Sequence, residues 1–475
     1  MRDMTKTSEG PLQGVWDRSD NFLGIKRKGS QKSFDAFPVA ASAVRTAVAM
    51  SLLPIFDAAV GTNFAVQERR TVPFVGWTMI RLWFPNSTNA ATNVTDCAVA
   101  GSTVFDPGAA DAAGTAAALW QPVQDASGNG GWVTQTGAPA FTVPAASGNA
   151  FAANASNDGN INMAPSQVFM VYLPQATDAP TGWSNLFIRS HAARGFNNYL
   201  NRGYAYNKVA DGNYFRIGCE YQASADFVAA NQANFAPLPG GGRNAHISNV
   251  ARIEFFSVQN AVSIWNVGDS IPQGLFSTGQ INNFVTQWCA KNTVPGSVIF
   301  LPSNYCFEGK PNHTALSFAR QELAKTVVSG ASNRALSARP NVIFVDPYSN
   351  NDPIYLTNGG SGTGALSQSQ AMASWSEFLQ FVDYAEALGV NVITKTKPPY
   401  GILNAGQEAV RVGINAMVRA SGRPYLDVDA AVTDGAAIAK ILAAMSPDGV
   451  HLGDLGQDAV YARMDADVGA VLRRF

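Results

Sequence analysis

Apolar residues fall into two different rhythms along this chain, and the change comes near residue 260. Ala261 to Val267 is a nearly unbroken apolar run, interrupted only by Ser263 and Asn266, as in a strand buried on both faces of a parallel sheet. It stops at Gly268-Asp269-Ser270, and a helical face follows in Ile281, Phe284, Val285, Trp288 and Cys289. From there strand-like and helix-like segments alternate. Strands are predicted at Val262–Val267, Ser297–Leu301, Val342–Val345, Val390–Lys395 and Tyr425–Val428. Helices are predicted at about 280–291, 314–328, 367–388, 405–421 and 455–473. In the third of these helices, 367–388, Met372, Trp375, Phe378, Leu379, Val382, Ala385 and Leu388 form one stripe, closed by Gly389. This alternation predicts a parallel sheet covered by helices on both faces.

Before residue 260 the apolar runs are short, and the composition is rich in Ala, Asn, Gly and Thr. Strands are predicted at Trp77–Phe84, Gln167–Leu173, Leu186–Ser190, Tyr214–Tyr221 and Ala251–Val258, with one helix at Ala40–Ala59. In Met79–Phe84, Ile80, Leu82 and Phe84 share a face opposite Arg81; Phe215, Ile217, Cys219 and Tyr221 share another. The expectation is an antiparallel sandwich or jelly roll, a structural or carbohydrate-binding module in which Trp120, Trp132, Trp183 and Tyr199 offer stacking faces. Residues 1–35 read as a polar arm, with Val15-Trp16 and Phe22-Leu23 available for docking into a larger assembly or a second copy. The expected organisation is therefore an arm at 1–35, a β-rich domain at 36–259 and an α/β domain at 260–475.

Bulk numbers narrow the function. Charged residues make up 14% of the 475 positions and the formal net charge is −1, so nothing points to a nucleic-acid partner. No apolar run approaches the ~18 residues of a membrane span. Met1 to Gly10 is polar and unlike a secretory signal, which leaves a cytoplasmic, virion-associated or otherwise exported protein as the expectation. The four cysteines (Cys97, Cys219, Cys289, Cys306) and four histidines (His191, His246, His313, His451) lack metal-type spacing; free thiols and no metal or organic cofactor are expected.

Ser270 stands where a strand ends and a turn leads to a helix, the place where open α/β sheets bind ligands. A serine there needs a base, and the base needs an orienting acid. Asp448-Gly-Val-His451 supplies both on one turn. This pairing of Gly-Asp-Ser with a late Asp-x-x-His resembles the SGNH hydrolases, the GDSL-type esterases, over about residues 262–475. The resemblance implies a three-layer, flavodoxin-like α/β/α domain and Ser270 as nucleophile. It also implies His451 as base, Asp448 as acid, and an oxyanion hole from the Ser270 N–H, a glycine N–H and an asparagine side chain. Gly309, the only glycine in Asn304–Gly309, matches the second block. Ser349-Asn-Asn351-Asp352 matches the third, with Asn351 as donor, Asn350 as the alternative in a slipped register, and Ser349 where the family has glycine. Asp269 reads as a structural hydrogen-bonder, and Glu308 and His313 as surface polar residues near Gly309. Pro398-Pro399-Tyr400 is expected to flank the cleft. The Gly-rich stretch Ile354–Leu366 reads as a mobile lid or a disordered insertion. The implied activity is hydrolysis of carboxylic esters, with a polysaccharide O-acetylesterase favoured by the attached β-rich region. The alternatives are a short-chain esterase or lipase, a phage virion or tail-associated deacetylase, and a binding or structural protein with an inactive SGNH domain.

Overall fold

The structure is a computed structural model of the full chain. It describes residues 12–16, 22–27, 64–73, 79–86, 91–103, 133–134, 141–144, 162–179, 181–192, 217–223, 250, 252–256, 260–274, 276–277, 283–294, 297–306, 319, 340–349, 368–401, 403–436 and 439–475.

Within the expected arm, β1 (Leu12–Trp16) and β2 (Phe22–Arg27) pair as an antiparallel hairpin. The intervening Asp-Arg-Ser-Asp-Asn is turn chemistry, and the flanking backbone satisfies its polar groups by pairing. Further strands follow among the described residues: β3 (Phe64–Pro73), β4 (Met79–Asn86), β5 (Thr92–Ser102), β6 (Val133–Thr134), β7 (Phe141–Val143), β8 (Asn162–Met170), β9 (Trp183–Ala192), β10 (Ile217–Ala223) and β11 (Arg252–Phe256). They form two antiparallel sheets. One has the order β10-β3-β9-β5-β6, with β7 also on β5; the other is β11-β4-β8. Phe84 of the second sheet meets Phe141 of the first edge-on, ring centroids 5.2 Å apart. Strand β3 was missed by pattern because Gln67-Glu-Arg-Arg70 breaks the apolar alternation. It nevertheless lies between β9 and β10, and Arg70 is fully buried with Nη2 donating to the Val250 carbonyl at 3.3 Å. Trp183, read as a stacking face, is 2% exposed and belongs to the core. Trp120, Trp132, Tyr199 and the expected helix at Ala40–Ala59 lie outside the described residues.

The second half carries the predicted parallel sheet. Its strands are β12 (Asn260–Gly268), β13 (Val298–Cys306), β14 (Val342–Val345), β15 (Asn391–Lys395) and β16 (Tyr425–Leu426), in the order β13-β12-β14-β15-β16, all parallel. The first strand of the set is internal: the chain steps to one side for β13 and returns to the other for β14. That reversal is the topological switch point of a doubly wound sheet, and the crevice it opens lies at the carboxyl end of β12.

Among the described residues the sheet is flanked by α1 (Ser270–Gln273), α2 (Phe284–Asn292), α3 (Gln368–Ala387), α4 (Ala405–Ala420), α5 (Val428–Val432), α6 (Asp454–Asp467) and α7 (Gly469–Leu472). Helix α2 buries Phe284, Val285, Trp288 and Cys289 as the spacing requires, and Asn283 caps it by accepting from the Thr286 N–H at 3.0 Å. Helix α4 opens with a reciprocal capping box between Asn404 and Gln407. The buried face of α3 is Phe378, Phe381, Val382 and Ala385. Leu388, assigned to that stripe, is 42% exposed because the helix has already ended and Gly389 turns the chain at φ 83°. Helices α2, α5 and α6 share the large core. Tyr348, Ile414 and Val418 make a second cluster with Trp375, on the layer formed by α3 and α4. The Val428 end of the predicted last strand is instead the start of α5, where Asp427 caps the turn through the Ala430 N–H. Of the helix expected at 314–328, only Ala319 lies among the described residues. Among the described residues, no helix is long and apolar enough to cross a membrane.

Candidate active site

Strand β12 delivers its last residues into the crevice at close quarters. A Cβ on Gly268 would lie 2.2 Å from Asp346 Oδ2 and 2.5 Å from Pro272 Cγ, so only glycine fits there. Asp269 caps α1, its Oδ1 accepting from the Ile271 N–H at 3.1 Å, and Ser270 follows as the first helical residue, 8% exposed.

The turn between α5 and α6 brings Asp448 and His451 to the same crevice. Asp448 Oδ1 accepts from the backbone N–H groups of Val450 (2.9 Å) and His451 (2.8 Å), while Oδ2 lies 2.6 Å from His451 Nδ1. Burial works to raise the Asp448 carboxyl, but these hydrogen bonds from His451 and Val450 outweigh it and hold the group below the usual carboxylate range. A carboxylate there accepts the hydrogen bond of Nδ1–H, which leaves Nε2 as an acceptor. Ser270 Oγ is 3.0 Å from that nitrogen. Gly449 makes the turn at φ 77°, and its carbonyl accepts from the Gly401 N–H at 3.0 Å. The Pro398-Pro399-Tyr400 segment thus leads into the backing of the histidine turn. Helix α6 ties the two sides together through fully buried Gln457. Its Oε1 accepts from the Phe284 N–H at 3.1 Å and its Nε2 donates to the Ile271 carbonyl at 3.3 Å.

Beneath the serine lies a group of charges that the sequence reading did not single out. Lys397 Nζ donates to Asp269 Oδ2 and, at 3.0 Å, to Asp346 Oδ2. Lys395 Nζ lies 3.2 Å from Asp346 Oδ1 and donates to Asn266 Oδ1 (2.7 Å) and the Val267 carbonyl (2.9 Å). Ser349 Oγ donates to Asp269 Oδ2 at 2.9 Å, so this serine, expected at a glycine position, anchors its loop to the turn that carries Ser270. Each of these side chains is under 4% exposed, a burial that ionised groups tolerate only when paired. Burial pushes Lys395 down to about 8, against the pull of Asp346. For Lys397 the desolvation is outweighed by the two carboxylates, which raise it; Lys397 in turn keeps Asp269 lowered despite its burial. The Lys397 backbone is itself fixed, its N–H and carbonyl both bonded by the Asn415 amide at 2.8 Å.

The structure therefore brings Ser270, His451 and Asp448 together and makes Asp269 a structural partner. Gly309, Asn350, Asn351, Glu308, His313 and the stretch Ile354–Leu366 lie outside the described residues. Cys97 and Cys289 are buried and form no disulfide. The buried lysines had one sequence signal, Lys395 at the end of an apolar strand, which strand-end solvation explains equally well.

Fold and site together describe an α/β protein with a Ser–His–Asp array at the switch point of a parallel sheet, an arrangement in which a hydroxyl can give up its proton to an imidazole as it attacks. No protein-family model matches the chain, and no curated protein matches it by sequence. Among solved structures it is similar to a GDSL-like lipase from Bacteroides thetaiotaomicron, at 15% identity and a TM-score of 0.31, over 45% of this chain and 88% of that one. It is also similar to a psychrotrophic esterase from Pseudoalteromonas sp., at 13% identity and TM-score 0.31, over 45% and 100%. A third is a family 3 carbohydrate esterase from Clostridium thermocellum, at 15% identity and TM-score 0.31, over 45% and 98%.

Proposed function

We propose that this chain is a serine esterase of the SGNH type, hydrolysing carboxylic esters through an acyl-Ser270 intermediate. The observation that carries the reading is the His451 imidazole, held between the Asp448 carboxylate at 2.6 Å and the Ser270 hydroxyl at 3.0 Å. Ser270 Oγ attacks the ester carbonyl while His451 Nε2 takes its proton. The tetrahedral oxyanion is received by the Ser270 N–H and, on the family resemblance, by the Gly309 N–H and the Asn351 side chain. Collapse of the intermediate expels the alcohol, which leaves with the proton carried by His451. Water then attacks the acyl-enzyme with His451 again as base, freeing the acid and Ser270. Asp448 keeps Nδ1 protonated and stabilises the imidazolium throughout. No step requires a metal or organic cofactor.

For substrate we propose acetyl esters of carbohydrates. The β-rich half supports this by offering a second surface beside the esterase, an argument from architecture.

The test is release of p-nitrophenol from acetate, butyrate and octanoate esters by wild type and Ser270→Ala. Turnover of the acetate ester, lost in a Ser270→Ala protein of unchanged circular dichroism, is expected. Turnover that survives the substitution sinks the nucleophile assignment. A preference for octanoate makes the protein a lipase, and release of acetate from acetylated polysaccharide checks the carbohydrate reading directly.

A further inference from the structure

Just beyond α1 the chain adopts a backbone that its sequence does not favour. Phe276 has φ 70°, the one non-glycine residue with positive φ among the described residues. An aromatic residue is strained there, where glycine or asparagine would not be. The turn holding it is firm: Gly274 precedes at φ 89°, and its carbonyl accepts from both the Ser277 N–H (2.9 Å) and the Ser277 hydroxyl (2.6 Å). Core packing does not account for the strain, because Phe276 is 53% exposed. The strained turn instead sets the ring beside His451, centroids 5.1 Å apart and planes inclined by 33°.

We infer that Phe276 is the wall of the leaving-alcohol subsite, an aromatic platform that selects esters of alcohols with a flat ring face, the pyranose ring above all. The inference rests on the esterase reading and deepens it. In that chemistry His451 Nε2 hands its proton to the departing oxygen, so the ester oxygen must come within hydrogen-bond reach of the imidazole. Whatever is bonded to that oxygen then lies against the ring that neighbours the imidazole. One face of Phe276 meets His451; the exposed remainder is free to stack on the C–H face of a sugar. A small alcohol such as ethanol has no face to offer. When His451 carries its proton the ring also places π density near a cation.

The test compares two mono-acetyl esters that differ only in the alcohol, a methyl glucoside carrying one acetyl group and ethyl acetate, with wild type, Phe276→Ala and Phe276→Asn. Asparagine tolerates the left-handed turn, so it removes the ring without adding strain and remains informative if alanine disturbs folding. The expected result is that the ratio of kcat/KM for the sugar ester over ethyl acetate falls by about three- to ten-fold in both variants, mainly through KM. An unchanged ratio, in wild type–like active protein, overturns the inference and leaves the esterase reading standing. Wild type that hydrolyses neither ester overturns the esterase reading and the inference with it.

Discussion

Lys397→Met is the perturbation that most directly tests how the nucleophile turn is held. In the native protein Lys397 serves both Asp269 and Asp346, while Lys395 reaches Asp346 at 3.2 Å. Two lysines thus balance two aspartates whose side chains, like their own, are almost fully buried. Methionine fills the volume of the stem and removes one positive charge. Asp269 is then left with two neutral donors, the Ile271 N–H and the Ser349 hydroxyl, and the cluster carries an uncompensated negative charge. Removing one partner of a buried pair costs about 3–5 kcal/mol, a large part of the roughly 5–15 kcal/mol that stabilises a typical domain. Urea unfolding of wild type and variant at pH 7 measures the loss. A double-mutant cycle with Asp269→Asn isolates the pair: the double variant should be more stable than the two single losses predict, by ~1.5 kcal/mol or more. A single-variant loss below about 1 kcal/mol, or strict additivity in the cycle, refutes the claim that these charges depend on one another.

Two further outcomes follow from the same region. Lys395 binds its proton less tightly in the fold, at about 8, than at its ordinary 10.5 in the unfolded chain. Between those pH values the unfolded state holds more protons, so this group makes stability rise with pH, by up to about 1.4 kcal/mol per unit. The stability difference between wild type and Lys395→Met should therefore grow in favour of wild type from pH 8 to 10.5; a flat difference in urea titrations contradicts it. Gly268→Ala drives a methyl into Asp346 and Pro272 and should cost about 1–3 kcal/mol, with a larger proportional loss of esterase turnover because the displaced strand end carries Ser270. Equal stability and turnover would show that the crevice yields more easily than its geometry implies.

The pairing of Asp448 with His451 was legible because the two are three positions apart, and a spacing that short fixes their proximity in a single turn. The parallel sheet was legible because strands buried on both faces write continuous apolar runs, as Val342–Val345 does. Lys395 and Lys397 were not, since linear pattern assigns lysine to solvent. Their burial depends on Asp269 and Asp346, which lie 128 and 51 positions from Lys397. Strand β5 was hidden for a related reason. Its pattern of partners on β9, β6 and β7 is set by distant segments, and polar residues such as Asn93, Thr95 and Asp96 interrupt any apolar rhythm. Leu388 was misplaced by extending the stripe of α3 one residue past its end at Ala387, just before Gly389 turns the chain.

The two hydrogen bonds of His451 differ in what their survival requires. Its bond to Asp448 is closed within four consecutive residues, whereas its bond to Ser270 spans 181 positions and depends on α6 staying docked through Gln457. Loosening α6 would separate the hydroxyl from an imidazole still paired with its carboxylate. Under gradual denaturation, the proposed hydrolysis would therefore fail before the histidine lost its own partner. The reaction would act as an internal gauge of whether one helix is seated.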